Sequence, residues 1–183
     1  MNIQLTEIQD VYLISPHKYE DERGFFSETY NLLQMEPLKD IQFVQDNHSM
    51  SKRKYTFRGL HYQKPPMEQS KMVRVIQGSI LDCIFDLRPN STTYKKFITL
   101  TITKENFHHV FIPKGCAHGF LSLEANTEVL YKVDQYYSPN HEQGINIDDP
   151  QFNFQFPIDV SQFFRNIKDR QFPRLHEIQN PFE

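Results

Sequence analysis

The chain has 183 residues, enough for one domain with a substantial core, and carries sixteen Phe and nine Tyr but no Trp. Its formal net charge of -3 excludes nucleic acid binding over a broad basic surface, while leaving room for an anionic ligand held by a few converging Arg and Lys. No stretch approaches the ~20 apolar residues of a membrane helix, and the N-terminus lacks the cationic-then-apolar pattern of a signal peptide.

Runs rich in Val, Ile, Phe and Thr predict strands at 11–15, 25–30 and 42–49, an N-terminal group. Further strands are predicted at 56–63, 71–77, 79–87, 95–103, 108–112, 119–123 and 128–134. Turn signals separate them: Gln77-Gly78-Ser79, Pro89-Asn90-Ser91, Pro113-Lys114-Gly115 and Glu124-Ala125-Asn126. Helix is expected only at 32–38 and near 161–165. The tail after Asp149 is rich in Phe and Pro and is expected to wrap the outside. Many short strands without alternating helices indicate an all-β jelly-roll sandwich or barrel. The expectation is a single domain over 1–183, with an N-terminal strand extension and a short, partly helical C-terminal tail. Cys83 and Cys116 show no CxxC spacing and read as reduced thiols of a cytoplasmic protein, although a disulfide between them stays open.

Alternation assigns faces. In 128–134, Val129, Tyr131 and Val133 share one face. In 71–77, Lys71 joins Val73 and Val75. In FRGLHYQ (57–63), His61 falls with Phe57 and Gly59, opposite Arg58, Leu60 and Tyr62. A His, a Tyr and a Lys thus each sit beside apolar residues. Singly, each is most simply a satisfied core group or a strand end. Converging inside one small barrel, they would form a polar site in an apolar cavity.

IPKGCAHGF (112–120) contains Pro-x-Gly-x-x-His: a tight turn after a strand, with His118 opening the next. It resembles the second motif of the cupin superfamily of small jelly-roll barrels, whose histidine is often a metal ligand. The His-x-His of the first cupin motif is missing from this sequence. His108 and His109 are adjacent, so on a strand they point to opposite faces and cannot bind one ion together. No metal is expected.

Seven motifs follow in order: DERGFFSE (21–28), FVQDNHSMS (43–51), FRGLHYQ (57–63), GSILDCIFDLRPNSTTY (78–94), IPKGCAHGF (112–120), VLYKVDQYYSPNHEQGI (129–145) and DDP (148–150). Together they closely resemble the dTDP-4-keto-6-deoxyglucose 3,5-epimerase family of cupin-type barrels, from about Val11 to Pro173. One departure is Phe156-Pro157, where family members commonly have Trp-Pro.

The chemistry suits the residues. A 4-keto group acidifies the C–H bonds at C3 and C5, so epimerisation needs a base on one face, an acid on the other and a group that holds the enolate oxygen. The resemblance implies His61 as base, Asp169 in NIKDR (166–170) as its partner, Tyr131 as acid and Lys71 as the charge at the enolate. It implies nucleotide or sugar contacts from Arg23, Glu28, Gln45, Asn47, Arg58 and His118. Simple alternation sets Arg58 opposite His61, so a twist, a bulge or a neighbouring subunit must reconcile the two. No cofactor is required, because the ketone itself stabilises the carbanion. The family resemblance also implies a homodimer with exchanged N-terminal strands. It implies a substrate supplied by a sugar-nucleotide dehydratase and a product taken by a reductase. Three alternatives stay open: a single-centre epimerase on this or another nucleotide-linked 4-keto sugar, a metal-dependent cupin oxygenase, and a catalytically silent sugar-nucleotide binding module.

Overall fold

Strands with apolar residues on alternate positions must find a second layer to cover that face. The structure, a computed structural model, describes residues 1–152 and 154–182. Its strands are β1 (Asn2–Leu5), β2 (Tyr12–Ser15), β3 (Tyr19–Asp21), β4 (Gly24–Phe26), β5 (Gln45–Ser51), β6 (Phe57–Gln63) and β7 (Lys71–Gln77). They continue as β8 (Ser79–Asp86), β9 (Phe97–Thr103), β10 (His109–Ile112), β11 (Cys116–Ser122), β12 (Thr127–Val133) and β13 (Glu142–Gly144). One sheet has the order β1-β2-β10-β7-β12-β5 and faces another with the order β13-β6-β11-β8-β9. All these pairings are antiparallel, and β3 and β4 form a separate hairpin. This is the all-β jelly roll that the strand pattern predicts.

Three apolar layers hold it. Val73, Val75, Ile84, Ile102 and Val129 form a buried cluster between the sheets. A second cluster, with Leu60, Leu81 and Phe85, is closed by Phe152 and Phe163 of the C-terminal tail. The tail therefore wraps the barrel as its composition suggests. Ile14, Met72 and Phe111 are closed by Met35 and Leu38. Those two residues come from around the short 3-10 helices Leu32–Gln34 and Glu36–Leu38, where a proline sits in the first turn of the second.

Some boundaries differ from expectation. β11 opens at Cys116 rather than 119, because Ala117 and His118 already pair with Phe85 and Ile84. The strand expected over 25–30 contracts to β4, and the segment after it leaves the hairpin. β1, β3 and β13 are three or four residues long and were unpredicted; runs this short carry little periodicity. Near 161–165 the structure has a 3-10 turn, Val160–Gln162, and the one-turn helix α1 is later, Ile167–Arg170. Cys83 and Cys116 are free and buried, and burial pushes the Cys116 thiol up to about 12. Among the described residues no helix is long and apolar enough to cross a membrane.

Candidate active site

Two adjoining chambers of about 320 and 270 Å³ share His61, Lys71, Tyr131, Tyr137 and Glu142. They form one cleft between the sheets. Gln45 and Asn47 line the first chamber; Arg58, His118 and Asp169 line the second.

Alternation on β7 and β12 holds. Lys71 shares a face with Val73, and Tyr131 packs against the inter-sheet cluster. Burial pulls the Lys71 ammonium down to about 8, against the opposing pull of Asp82 and Glu142. Burial raises the Tyr131 phenol above its ordinary value, with Arg58 opposing and Glu142 reinforcing. Gln45 and Asn47, two apart on β5, face the same way: Gln45 Nε2 donates to Asn47 Oδ1 at 2.8 Å.

On β6 alternation fails, and the failure makes the site. His118 pairs with His61 and Phe120 with Arg58, so two steps along β11 oppose three along β6. The extra residue is a bulge. His118 and Phe120 share a face of β11, and the bulge turns Arg58 and His61 to that same side, correcting the expectation that they oppose each other. Gly59 makes this possible with φ +124°. A Cβ there would lie 2.6 Å from Gly119 Cα, so the glycines of RGLH and AHGF let the two strands close. Arg58 is steadied by Ser51 Oγ at 3.2 Å and the Met50 carbonyl at 3.0 Å.

His61 Nε2 lies 2.9 Å from Asp169 Oδ1. Asp169 stands in α1, where the Asn166 side chain caps its N–H, and the Gly59 N–H donates to its second oxygen at 3.0 Å. Burial pushes this carboxyl up, but the hydrogen bonds from His61 and Gly59 and the His61 charge outweigh it and hold the pKa below the usual range. An ionised carboxylate only accepts, so Nε2 carries a proton, and whenever the ring is neutral the lone pair is on Nδ1.

Four groups were not singled out from the sequence. Asp82 of β8 is fully buried and takes His118 Nε2 at 2.7 Å. Burial pushes the His118 imidazole below its ordinary value, with Asp82 opposing. The signal for Asp82 was present: one acid in the apolar run SILDCIF, the same kind of anomaly as FRGLH. Glu142 accepts from the Tyr137 hydroxyl at 2.7 Å and pairs with Lys168. Nothing in the local pattern of YYSPNHEQG distinguishes Tyr137 and Glu142 from surface groups, and Lys168 in NIKDR reads as a solvated charge.

Arg23 and Glu28 are not brought to the cleft. Arg23 sits at the tip of the β3–β4 hairpin, 85% exposed and paired with Asp21 at 2.5 Å. Glu28 accepts from Asn31 and Gln34 just beyond the hairpin. Phe25 and Phe26 of the hairpin are themselves exposed.

A jelly-roll barrel that gathers an imidazole backed by a carboxylate, a phenol and an ammonium in one cleft defines a cupin-type barrel equipped for proton transfer at carbon. A family model described as dTDP-4-dehydrorhamnose 3,5-epimerase matches residues 5–177, and the chain belongs to that family of isomerases. The epimerase of that name from Shigella flexneri is 41% identical over 160 residues, 86% of this chain and 88% of that one. The one from Methanothermobacter thermautotrophicus is 41% identical over 174 residues, 94% and 93% of the two chains. The crystal structure of the Bacillus anthracis enzyme, with TDP and PPi bound, superimposes with a TM-score of 0.90 at 40% identity, covering 95% of this chain and 99% of that one. The Legionella pneumophila enzyme, in complex with dTDP-4-keto-L-rhamnose, gives 0.90 at 38% identity, covering 97% and 94%.

Proposed function

We propose that the chain inverts C3 and C5 of dTDP-4-keto-6-deoxy-D-glucose to give dTDP-4-keto-L-rhamnose. The carrying observation is that the His61–Asp169 pair shares one cleft with Tyr131 and Lys71. His61 Nδ1 removes the proton beside the ketone, and Asp169 steadies the imidazolium that forms. The Lys71 ammonium meets the enolate oxygen as its charge grows. Tyr131 returns a proton to the other face of the carbanion. The cycle repeats at the second carbon. The ketone delocalises the carbanion, so the residues need no cofactor for this chemistry.

Arg58 holds the diphosphate, Gln45 and Asn47 hold the nucleotide, and His118 lies beside the sugar. Arg23 and Glu28 act in a second copy of the chain: the exposed hairpin and the segment that follows it reach the partner's cleft in a homodimer. On this reading each chain works as a single domain in the cytoplasm, with no nucleic acid or membrane partner. The test is proton exchange in heavy water, followed by NMR on the dTDP-4-keto sugar. Loss of both the C3 and C5 signals, abolished in His61→Ala with dTDP binding retained, is the expected result. Exchange at C3 alone would replace the double epimerisation with a single-centre one. A folded protein that exchanges neither proton would overturn the reading.

A further inference from the structure

The ring of His61 is held on two sides, and only one is a hydrogen bond. Nε2 meets Asp169. The ring of Phe172 meets the imidazole edge-on, with centroids 5.4 Å apart and planes at 83°. Phe172 in turn lies over Gly144, the residue directly opposite His61 in the β13–β6 pair. A Cβ on Gly144 would fall 2.3, 2.5 and 2.5 Å from three carbons of the Phe172 ring. No side chain larger than hydrogen fits while the ring stays there. Gly144 is buried, and its φ lies outside the left-handed region, so space rather than backbone conformation requires a glycine.

The strap that carries Phe172 is tied at both ends. Before it, α1 delivers Asp169 to His61 and to the Gly59 N–H. After it, the Asn146 N–H donates to the Pro173 carbonyl at 2.9 Å. An imidazole held by one hydrogen bond can still turn about that bond or flip its ring. An aromatic ring against its edge removes that freedom. The Asp169 carboxylate is only 2% exposed, where its hydrogen bond to the ring is stronger for being dry.

We infer that Phe172, seated in the gap left by Gly144, is a positioning residue for the general base: it holds the His61 ring so that Nε2 stays on Asp169 and Nδ1 stays on the reacting carbons. This rests on the reading of His61 as the base.

The test uses the full chain with Phe172→Ala, Phe172→Leu, Gly144→Ala and the double variant Gly144→Ala/Phe172→Ala. The readouts are steady-state rates, exchange at C3 and C5, and the His61 tautomer from ¹⁵N NMR, assigned by comparison with His61→Ala. Small misplacements of a reacting group cost up to about 10²-fold, so Phe172→Ala is expected to lower kcat by about tenfold or more. KM stays within about twofold, both exchange rates fall together, and the single Nε2–H tautomer gives way to a mixture. Phe172→Leu retains most of the rate. Gly144→Ala repeats the Phe172→Ala defect by displacing the ring. The double variant is no worse than the poorer single one, because the two act through one contact. A purely structural role would lower thermal stability and leave the tautomer of the folded protein alone. Folded Phe172→Ala with wild-type kcat and one tautomer overturns the inference. If Phe172→Ala does not fold, Phe172→Val carries the same expectations and the same overturning result. Turnover retained by His61→Ala would overturn the base reading and this inference together. A silent His61→Ala beside a wild-type Phe172→Ala would overturn this inference alone.

Discussion

Arg58 and His61 lie on one strand three residues apart, and both face the same cleft. The bulge at Gly59 is the cause, and Gly59→Ala tests it. The added methyl meets Gly119 Cα at 2.6 Å on a backbone with φ +124°. Strained backbone and overpacking each cost about 1–3 kcal/mol, so the substitution is expected to destabilise the chain by about 2–6 kcal/mol. Below its lowered melting temperature it should also lose both nucleotide affinity and turnover. Denaturant melts with dTDP titration check this; retention of both functions would contradict the bulge as the device that joins them.

Tyr131→Phe separates the two halves of the reaction. The base stays in place while the proton donor on the other face is gone. The protein should still exchange substrate protons with heavy water, but the epimerised product should fall by about 10²-fold or more. NMR reads exchange and product in the same tube. Product formation at the wild-type rate would remove Tyr131 from the acid role.

Lys71 sets the alkaline side of the activity profile. Burial in the cleft brings its ammonium down to about 8, so the charge that meets the enolate is present below that pH and lost above it. Turnover should decline with an apparent pKa near 8, on a nucleotide sugar whose own charge is constant there. Lys71→Arg moves this limb to higher pH at a lower plateau rate. Lys71→Met removes the limb and lowers kcat by about 10²–10³-fold. An unchanged alkaline limb in Lys71→Arg would assign the titration to another group.

His109 makes stability depend on pH. It is 1% exposed, its Nδ1 has no hydrogen-bond partner among the described residues, and burial, with Arg74 and His108, lowers its pKa to about 3. The folded state keeps the ring neutral, while the unfolded chain takes a proton below its ordinary value of 6.5. Stability is therefore fully present above pH 6.5 and is lost as pH falls toward 3. The slope from this group is about 1.4 kcal/mol per pH unit. His109→Gln should flatten the decline between pH 6.5 and 4.5, before most carboxylates titrate, and His118 supplies part of what remains. Urea midpoints at four pH values measure it. Parallel curves for wild type and His109→Gln would show that the unfolded state does not charge at this position.

The amino-acid sequence by itself determined most of the longer strands, because burial on one face imposes a period of two that is written locally. The run 71–77 matches β7 at both ends, and the faces of Lys71 and Tyr131 are those that alternation assigns. It also determined the family, through seven motifs in a set order. Which polar groups meet was legible only through the family resemblance, which implied Asp169 as the partner of His61, and not from periodicity. His61 and Asp169 are 108 residues apart, and no local pattern pairs them. The Gly59 bulge reversed the face of Arg58, because one extra residue in a strand changes every later side and only the register with β11 reveals it. Asp82 was visible as an anomaly but had no assignable partner until β8 lay beside β11. Glu142, Tyr137 and Lys168 gave no signal, since each is an ordinary polar residue in a loop or a short element. Periodicity reports how a chain buries its surface. Which side chains converge depends on register, bulges and a tail that returns across the barrel, and those exist only once the strands have paired.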